Sequence, residues 1–288
     1  MSQIKISVII PVYNEEKTIL ETVSEIKKVM NSVKMPYEII TVNDCSTDSS
    51  KNIIDKIDGI VKINHLSNKG YGASLKTGIK SAKGEWILIT DADGTYPIKD
   101  IPLLVKHMDF DMVVGSRTGK NVKIPLLRRP AKKIINILAN FMSGYKIPDL
   151  NSGFRLFKKD LAMEFFHLYP QKFSFTTTIT LAFLTNDYSV KYVPIDYYKR
   201  QGKSTIKPIK DFVGFINLII RIITYFNPFK IFFTLSILLF LIAFFIFLYT
   251  FFIVGKIADI TIIIIILSSV QRFLFGLIAD LIIKSRNK

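Results

Sequence analysis

Residues 86–97, WILITDADGTYP, place a short apolar run directly before two aspartates. The run, residues 86–90, has the length and composition of a buried β-strand. Asp91 and Asp93 follow it, separated only by Ala92. Two carboxylates this close repel each other, and a divalent cation relieves that repulsion. Because all the donors are oxygens, the pair indicates an Mg²⁺ or Mn²⁺ site; the alternative is that both aspartates only cap a turn.

The first 210 residues alternate apolar runs with segments of helical spacing. This alternation predicts an α/β fold with a mostly parallel, Rossmann-like sheet. In such sheets ligands bind beyond the carboxyl ends of the strands, where Asp44 and Asp91 are expected to lie. Strands are predicted at residues 5–10, 37–42, 60–64 and 86–90, and helices at residues 14–30 (capped by Asn14), 46–57 and 72–82.

The last 60 residues are much more apolar than the rest of the chain. Residues 231–254 carry no charge and would span about 36 Å as a helix, whereas a bilayer core is about 30 Å thick. A second apolar segment, residues 260–283, is interrupted by Arg272 and Asp280. Two transmembrane helices are predicted, the alternative being a helical hairpin buried in a soluble protein. Arg272 needs a partner, either a lipid phosphate or a second protomer, so a homo-oligomer through these helices stays open.

Three regions are therefore expected along the chain. Residues 1–210 form the α/β domain, residues 211–228 an amphipathic juxtamembrane helix, and residues 229–288 a two-helix transmembrane hairpin. The basic residues flank the outer ends of the hairpin, and by the positive-inside rule the α/β domain and both termini should be cytoplasmic. These basic residues are Lys207, Lys210, Arg221, Lys230, Lys284, Arg286 and Lys288.

The chain is strongly basic, with 39 Lys and Arg against 23 Asp and Glu. Such an excess favours an anionic partner, which can be nucleic acid, a membrane surface or a phosphorylated substrate. Two basic stretches without any acidic residue, 117–133 and 199–210, approach the membrane segments. Because the charge clusters there and no nucleic-acid motif is present, we expect a lipid bilayer and a lipid phosphate as partners, and no nucleic acid. The single cysteine, Cys45, excludes an internal disulfide.

Six short motifs occur in order and together resemble the family 2 glycosyltransferases of the GT-A fold. Within that family the chain is similar to the polyprenyl-phosphate branch, which includes dolichyl-phosphate mannose synthases and glucosyltransferases. The resemblance covers roughly residues 5–210. The motifs are VIIPVYNEE (8–16), VNDCSTD (42–48), NKGYGASLKTGI (68–79), DADGTYP (91–97), VVGSR (113–117) and DLNSGFR (149–155).

The resemblance implies transfer of one hexose from a UDP- or GDP-linked sugar to a polyprenyl or dolichyl phosphate. Because a phosphate acceptor is already an anion, we expect a single in-line displacement that inverts the anomeric configuration. Asp91 and Asp93 would bind the metal and the sugar diphosphate, and Asp44 would hold the base or the ribose. Gly70 would let the backbone approach the nucleotide, or would simply start a helix. Other residues implied to shape the nucleotide pocket are Pro11, Tyr13 and Glu15.

The family positions that meet the acceptor phosphate correspond to Arg117 and to one arginine of the pair Arg128 and Arg129. Arg200 and Ser204 fit a further family pattern, R-x-G-x-S, and guanidinium groups suit phosphate because they bind two oxygens at once. The catalytic residues are then Asp93, Arg117 and Asp149. Asp149 would orient the sugar or act as a base, the alternative being that it caps a turn.

Two departures from the family pattern leave the substrate open. Asn43-Asp44-Cys45 stands where Asp-Asp-Gly is frequent, which leaves the base uncertain, and Thr95 replaces a glutamine of some mannose synthases. Two other functions are considered. A processive polysaccharide synthase normally carries a QxxRW motif and more spans, and a non-catalytic platform for nucleotide sugars would not need the aspartates and Arg117.

Overall fold

The computed structural model describes residues 4–122, 136–141, 143–171, 174–199, 208–256 and 259–286. The chain divides into two compact units. The first contains Met1–Phe141 and Tyr145–Leu218, and the second contains Met142–Gly144 and Ile219–Lys288. The three-region division expected from the sequence stays a prediction.

The first unit is built on a seven-stranded sheet with the order β3-β2-β1-β4-β6-β5-β7. All neighbouring strands are parallel except β6, which runs antiparallel to β4 and β5. The predicted α/β class with a mostly parallel sheet is confirmed. The strands are β1 (Ile6–Val12), β2 (Tyr37–Asn43), β3 (Val61–Asn64), β4 (Trp86–Ile89), β5 (Met112–Ser116), β6 (Arg155–Lys158) and β7 (Val190–Pro194).

The helices connect these strands and then continue into the second unit. Short 3₁₀ turns occur at Ile98–Asp100 and Phe166–Leu168. The α-helices are α1 (Ile19–Val33), α2 (Ser50–Asp55), α3 (Tyr71–Ser81), α4 (Ile101–Val105), α5 (Lys159–Glu164), α6 (Phe175–Thr185), α7 (Pro208–Phe226), α8 (Pro228–Tyr249) and α9 (Asp259–Arg286).

The predicted start of the first helix at Asn14 is wrong, because α1 begins at Ile19 with Thr18 as its cap residue. Asn14 has a φ of 57° and therefore lies outside the helical conformation. Its side-chain oxygen accepts a hydrogen bond from the Thr47 amide at 2.8 Å. The asparagine thus joins the loop after β1 to the loop after β2 instead of capping a helix.

Strand β1 is the centre of the core, and all seven of its residues are buried. Val8 and Ile10 belong to a cluster with the apolar face of α1. On the opposite face Ile9 packs against Gly78 of α3, where a Cβ would lie 2.5 Å from Ile9 Cγ2. Burial on both faces explains why β1 reads as a continuous apolar run and not as an alternating one.

The second unit contains two helices that are long and apolar enough to cross a membrane, as predicted. They extend over Pro228–Val254 and Asp259–Ile283, with mean hydropathies of 3.0 and 2.2. Asn227 ends the preceding helix and caps α8 through a side-chain bond to the Lys230 amide. Large apolar side chains such as Phe245 and Phe252 are more than 60% exposed. In this unit exposed apolar surface fits a lipid environment.

Small residues hold α8 and α9 together. Ser236 Oγ and Ser269 Oγ are 3.0 Å apart, and each also donates to the other residue's carbonyl oxygen at 2.9 Å. Gly276 lies close to α8, since a Cβ there would be 2.9 Å from Phe232 Cβ. Close approach at small residues and hydrogen bonds between hydroxyls are typical of helix pairs in membranes. Arg272 donates to the Ser268 carbonyl at 3.3 Å, and its predicted partner outside the chain stays a prediction.

The contact between α3 and β1 generates the first prediction. Gly78→Ala should destabilise the protein, because overpacking costs about 1–3 kcal/mol and the gain in helix propensity is at most about 1 kcal/mol. Thermal unfolding in detergent, followed by circular dichroism, measures the effect. Ser81→Ala, at an exposed position of the same helix, is the matched control and should not lower the melting temperature. Equal stability of the two variants would contradict the packing described here.

Candidate active site

The carboxyl ends of β2, β1 and β4 form one edge of the sheet, and the predicted aspartates lie there. Asp44 follows β2, whereas Asp91 and Asp93 follow β4, with β1 between the two strands. Connections leave β1 and β4 toward opposite sides, and in doubly wound sheets such a point forms a ligand-binding crevice. The topology therefore places a crevice between Asp44 on one side and the aspartate pair on the other.

Asp91 is partly exposed and is held by a tyrosine from the start of α3. The Tyr71 hydroxyl donates to Asp91 Oδ1 at 3.0 Å. Burial first, and then the charge of Asp91, raises the pKa of Tyr71 well above its usual value, so the phenol stays protonated and donates. Gly153 lies beside this pair, because a Cβ there would be 3.0 Å from the tyrosine oxygen and 3.2 Å from both carboxylate oxygens. A side chain larger than hydrogen at residue 153 would thus displace the carboxylate or the phenol.

Asp93 is more deeply buried, with 6% of its surface exposed. Its Oδ1 accepts hydrogen bonds from the Thr95 amide at 3.1 Å and from the Thr95 hydroxyl at 2.6 Å. These bonds fix the turn and the direction of the carboxylate. Asp93 therefore does cap the turn after β4, through Oδ1. This role does not exclude that the carboxylate also binds a ligand.

The donor set at this position fits a hard divalent cation. Asp91 and Asp93 offer only carboxylate oxygens, which are the ligands that Mg²⁺ and Mn²⁺ prefer. Among the residues that the structure describes, no group of three or more His, Cys, Asp or Glu could enclose a metal by itself. This agrees with Mg²⁺ chemistry in proteins, where one or two carboxylates and the phosphates of a substrate share the ion.

A cavity of about 230 Å³ adjoins Asp91. Helix α1 and the segment from Gly94 to Lys99 supply most of its walls, and Tyr198 completes them. Asp91 thus borders this cavity, whereas Asp44, Asp93 and Arg117 are not among its lining residues.

Asp44 is almost completely buried and accepts three hydrogen bonds from the protein. Its Oδ1 accepts from His65 Nδ1 at 2.7 Å and from the Lys69 amide at 2.8 Å. Its Oδ2 accepts from the Gly70 amide at 2.7 Å. The two amides directly precede α3, whose N-terminal dipole also favours a negative charge. Gly70 has a φ of 99° and directly precedes α3, so it does start a helix.

Arg117 and Asp149 form a buried bidentate pair. Arg117 Nε donates to Asp149 Oδ2 at 2.7 Å, and its Nη2 donates to Oδ1 at 2.8 Å. The Arg117 amide adds a third bond to Oδ2 at 3.0 Å. Asp149 is fully buried, while the Arg117 side chain keeps 14% of its surface exposed and stacks on Tyr197 at 5.2 Å. The carboxylate is therefore fully covered, and the small exposed fraction of the pair belongs to the arginine side chain.

The segment from Asp149 to Gly153 joins the two halves of the site. It holds Arg117 at one end and contacts Asp91 at the other. The Gly153 amide donates to the Tyr96 hydroxyl at 2.7 Å, and the Ser152 hydroxyl donates to a carbonyl of β5 at 2.6 Å. The segment is thus tied down along its length, and the distance between cationic and anionic parts of the site is set by the fold.

Arg155 connects the same segment to α6 through hydrogen bonds. It is fully buried, and its guanidinium donates to the carbonyl oxygens of Ser152 and Thr176 and to the Thr180 hydroxyl. Burial lowers the pKa of Arg155. The guanidinium replaces lost hydration with hydrogen bonds, so it connects the segment to α6 as a structural cation.

Four residues of this arrangement were not identified from the sequence: His65, Tyr71, Tyr96 and Arg155. Tyr71, Tyr96 and Arg155 lie inside motifs that were recognised, so the motifs themselves carried the signal. His65 lies outside the six motifs, and nothing in its surroundings along the chain points to Asp44. The partner becomes visible only when β2 and β3 are adjacent.

The remaining predicted residues divide into described and undescribed ones. Pro11 is buried in β1, and Tyr13, just beyond this strand, is 37% exposed. Glu15 is buried, and its amide donates to the Ser50 hydroxyl at 2.8 Å. These three positions surround the end of β1, as expected for a pocket at that edge. Arg128, Arg129, Arg200 and Ser204 lie outside the described residues, so their roles stay predictions.

Family models match most of the chain. The model described as glycosyl transferase family 2 matches residues 7–166, which is more than half of the chain. The chain belongs to glycosyl transferase family 2. A second model, described as the GtrB C-terminal hairpin, matches residues 227–284. The family resemblance drawn from the six motifs is confirmed, and the apolar helices correspond to a known hairpin of such proteins.

Two curated proteins show how this family 2 glycosyltransferase relates to others. An uncharacterised protein from Methanocaldococcus jannaschii is 32% identical over 221 residues, which cover 72% of this chain and 88% of that protein. A dolichyl-phosphate beta-glucosyltransferase from Trichomonas vaginalis is 28% identical over 221 residues, covering 69% of this chain and 68% of that enzyme.

Solved structures support the GT-A fold. The glucosyl-3-phosphoglycerate synthase from Mycobacterium tuberculosis, in complex with Mn²⁺, UDP and glucosyl-3-phosphoglycerate, superposes with a TM-score of 0.58. The identity is 16%, and the match covers 76% of this chain and 78% of that protein. At this identity the likeness concerns the fold alone.

The buried pair generates the second prediction. Asp149→Asn should strongly destabilise the protein, since removing one partner leaves Arg117 without its counter-charge, a loss of about 3–5 kcal/mol for buried pairs. Urea unfolding in detergent measures the free energy of unfolding. The control is Asp55→Asn, which breaks the exposed pair with Lys51 and should cost no more than about 0.5 kcal/mol. Similar losses in both variants would show that burial of the Arg117–Asp149 pair carries no special weight.

Proposed function

We propose that the protein transfers a single hexose from a UDP- or GDP-linked sugar to a polyprenyl or dolichyl phosphate. The observation that carries this proposal is that Asp91 and Asp93 are held at the same edge of the sheet as Arg117. The aspartate pair suits a diphosphate bound through a cation, and the arginine suits a second phosphate. A family 2 domain followed by a GtrB-type hairpin supports a lipid acceptor, and so does the similarity to a dolichyl-phosphate glucosyltransferase.

The donor would lie across the crevice between β1 and β4. Asp44 would hold the base or the ribose, and Asp91 and Asp93 would hold Mg²⁺ or Mn²⁺ together with the sugar diphosphate. When bound, the cation would neutralise charge on the departing diphosphate. Further residues proposed to shape the nucleotide pocket are Pro11, Tyr13, Glu15 and Gly70.

The acceptor phosphate would bind to Arg117. Arg128 or Arg129, together with Arg200 and Ser204, are proposed as its other partners. A phosphate monoester has a second pKa near 6, so it is mostly a dianion at neutral pH and needs no strong base to attack. The arginines offset the repulsion between the two anionic substrates and hold the attacking oxygen in place.

Chemically, the reaction would be a single in-line displacement. One oxygen of the lipid phosphate forms a bond to the anomeric carbon, and the bond from that carbon to the nucleotide diphosphate breaks on the opposite face. The anomeric configuration inverts. Asp149 is proposed to position Arg117 and not to remove a proton, because it is fully buried and both of its oxygens bind this arginine.

The reaction would take place at the cytoplasmic face of the membrane. The positive-inside rule supports this orientation, since Lys230 lies in the first turn of the first span and basic residues follow the second. Both termini would then be cytoplasmic. The proposed regions are a catalytic domain over residues 1–210, a juxtamembrane helix over residues 211–228 and a membrane hairpin over residues 229–288.

A direct test incubates the purified full chain with a panel of UDP- and GDP-sugars, Mg²⁺ and a polyprenyl phosphate. We expect one lipid product whose mass equals that of the acceptor plus one hexose residue. Chains of several sugars would indicate a processive synthase. Binding of nucleotide sugar without any product, with or without the acceptor, would indicate a non-catalytic platform.

The third prediction concerns the aspartate pair. Asp93→Asn should lower the transfer rate at least about 100-fold, the usual effect of losing a group that stabilises transition-state charge. Because Asn keeps the shape of the side chain, the circular dichroism spectrum should stay unchanged. Asp109→Asn, at an exposed position distant in sequence from the pair, is the matched control and should keep full activity. A near-normal rate for Asp93→Asn would refute the metal assignment.

A further inference from the structure

The Asp44 carboxylate has nearly all of its acceptor positions occupied by the protein. A carboxylate offers about four lone-pair positions, two on each oxygen. On Oδ1 both are taken, by His65 Nδ1 at 2.7 Å and by the Lys69 amide at 2.8 Å. On Oδ2 the Gly70 amide takes one, at 2.7 Å. Within the described part of the chain, Asp44 therefore retains one acceptor position, on Oδ2.

The imidazole ring of His65 is fixed in its position beside Asp44. Because an ionised carboxylate only accepts, Nδ1 of the imidazole must carry the hydrogen of this bond. The other ring nitrogen, Nε2, lies 3.0 Å from the Thr77 hydroxyl. The His65 amide also donates to the carbonyl of Asn43 at 2.9 Å, and the residue is 9% exposed. The ring is thus fixed at both nitrogens between β3 and α3.

Nucleotide bases differ in what they can donate to one acceptor position. Guanine presents N1–H and N2–H side by side, and this pair needs two acceptors, one on each carboxylate oxygen. Uracil and thymine present a single imide N–H between two carbonyl groups. Cytosine and adenine have an acceptor nitrogen at the corresponding ring position, which a carboxylate repels. A carboxylate with one remaining position therefore matches the imide N–H alone.

The topology places Asp44 where a base would lie if the diphosphate is at Asp91. The two residues stand on opposite sides of the crevice, at the ends of β2 and β4 with β1 between them. A nucleotide diphosphate bound across such a crevice extends over both sides.

We infer that the site selects a nucleotide sugar whose base is uracil or thymine, and that His65 is the specificity-determining residue because it fills Asp44 Oδ1. This inference rests on the proposed binding of a nucleotide sugar with Asp44 at the base. His65 acts through Asp44 and is a positioning residue. Without the His65 bond, Oδ1 regains an acceptor position, and the carboxylate can receive the paired N–H groups of guanine.

The test measures binding of UDP, GDP, CDP and ADP to the full chain in detergent with Mg²⁺, by isothermal titration calorimetry. UDP should bind at least about tenfold more tightly than each of the other three, which corresponds to about 1.4 kcal/mol. Binding that is equal for all four would place Asp44 at the ribose and overturn the inference. GDP binding as tight as UDP binding would overturn it as well. Absence of any binding by a folded chain would instead contradict the proposed function.

Variants of His65 test its role separately from the fold. His65→Phe keeps a ring but removes both ring nitrogens, including the Nδ1 donor to Asp44, so the ratio of UDP to GDP affinity should fall towards one. His65→Asn retains a donor in nearly the same place and should restore the preference for UDP. His107→Phe is the control for loss of a histidine elsewhere and should leave the ratio unchanged. If His65→Phe has the same ratio of UDP to GDP affinity as the unmodified chain, the assignment of His65 is overturned. If His65→Phe does not fold, the comparison of the four nucleotides on the unmodified chain still tests the choice of base.

Discussion

Buried negative charge must be compensated, and this requirement organises the whole edge of the sheet where the site lies. Asp44 and Asp149 are almost inaccessible to water, and Asp93 is nearly so. An uncompensated buried carboxylate would cost several kcal/mol, so each one binds donors from the protein. The donors differ in kind: an imidazole and two backbone amides at Asp44, a threonine at Asp93, and a guanidinium at Asp149.

The carboxylates at this edge of the sheet differ in the charge of the donors described for them. Asp149 receives a full positive charge on both oxygens, so it has little left to offer a substrate and serves to aim Arg117. The donors described at Asp91 and Asp93 are neutral: the Tyr71 hydroxyl, the Thr95 hydroxyl and the Thr95 amide. Two neighbouring carboxylates attract a cation, and a cation in turn attracts phosphate. The same edge of the sheet thereby presents an aspartate pair and a partly exposed arginine.

A single segment keeps these two groups at a fixed separation. Residues 149–153 hold Arg117 at one end and lie beside Asp91 at the other, and buried Arg155 connects the segment to α6. Rigid placement is useful for a reaction between two anions, because the entropy of bringing them together is then lost on binding and not during the reaction. In the second unit the pairing of Ser236 with Ser269 plays a comparable structural role, by fixing one helix against the other.

The sequence by itself determined the α/β class, the position of the aspartates beyond β2 and β4, and the apolar hairpin. These features follow from hydrophobic periodicity and from the rule that parallel strands end at the same edge, both of which are local properties of the chain. Only the tertiary structure decided which donor each carboxylate meets. His65 lies 21 residues from Asp44 and Arg117 lies 32 residues from Asp149, and no local pattern encodes these distances. Strand order, the antiparallel insertion of β6 and the loop conformations bring the partners together, and the resulting hydrogen bonds offset the cost of burying each charge.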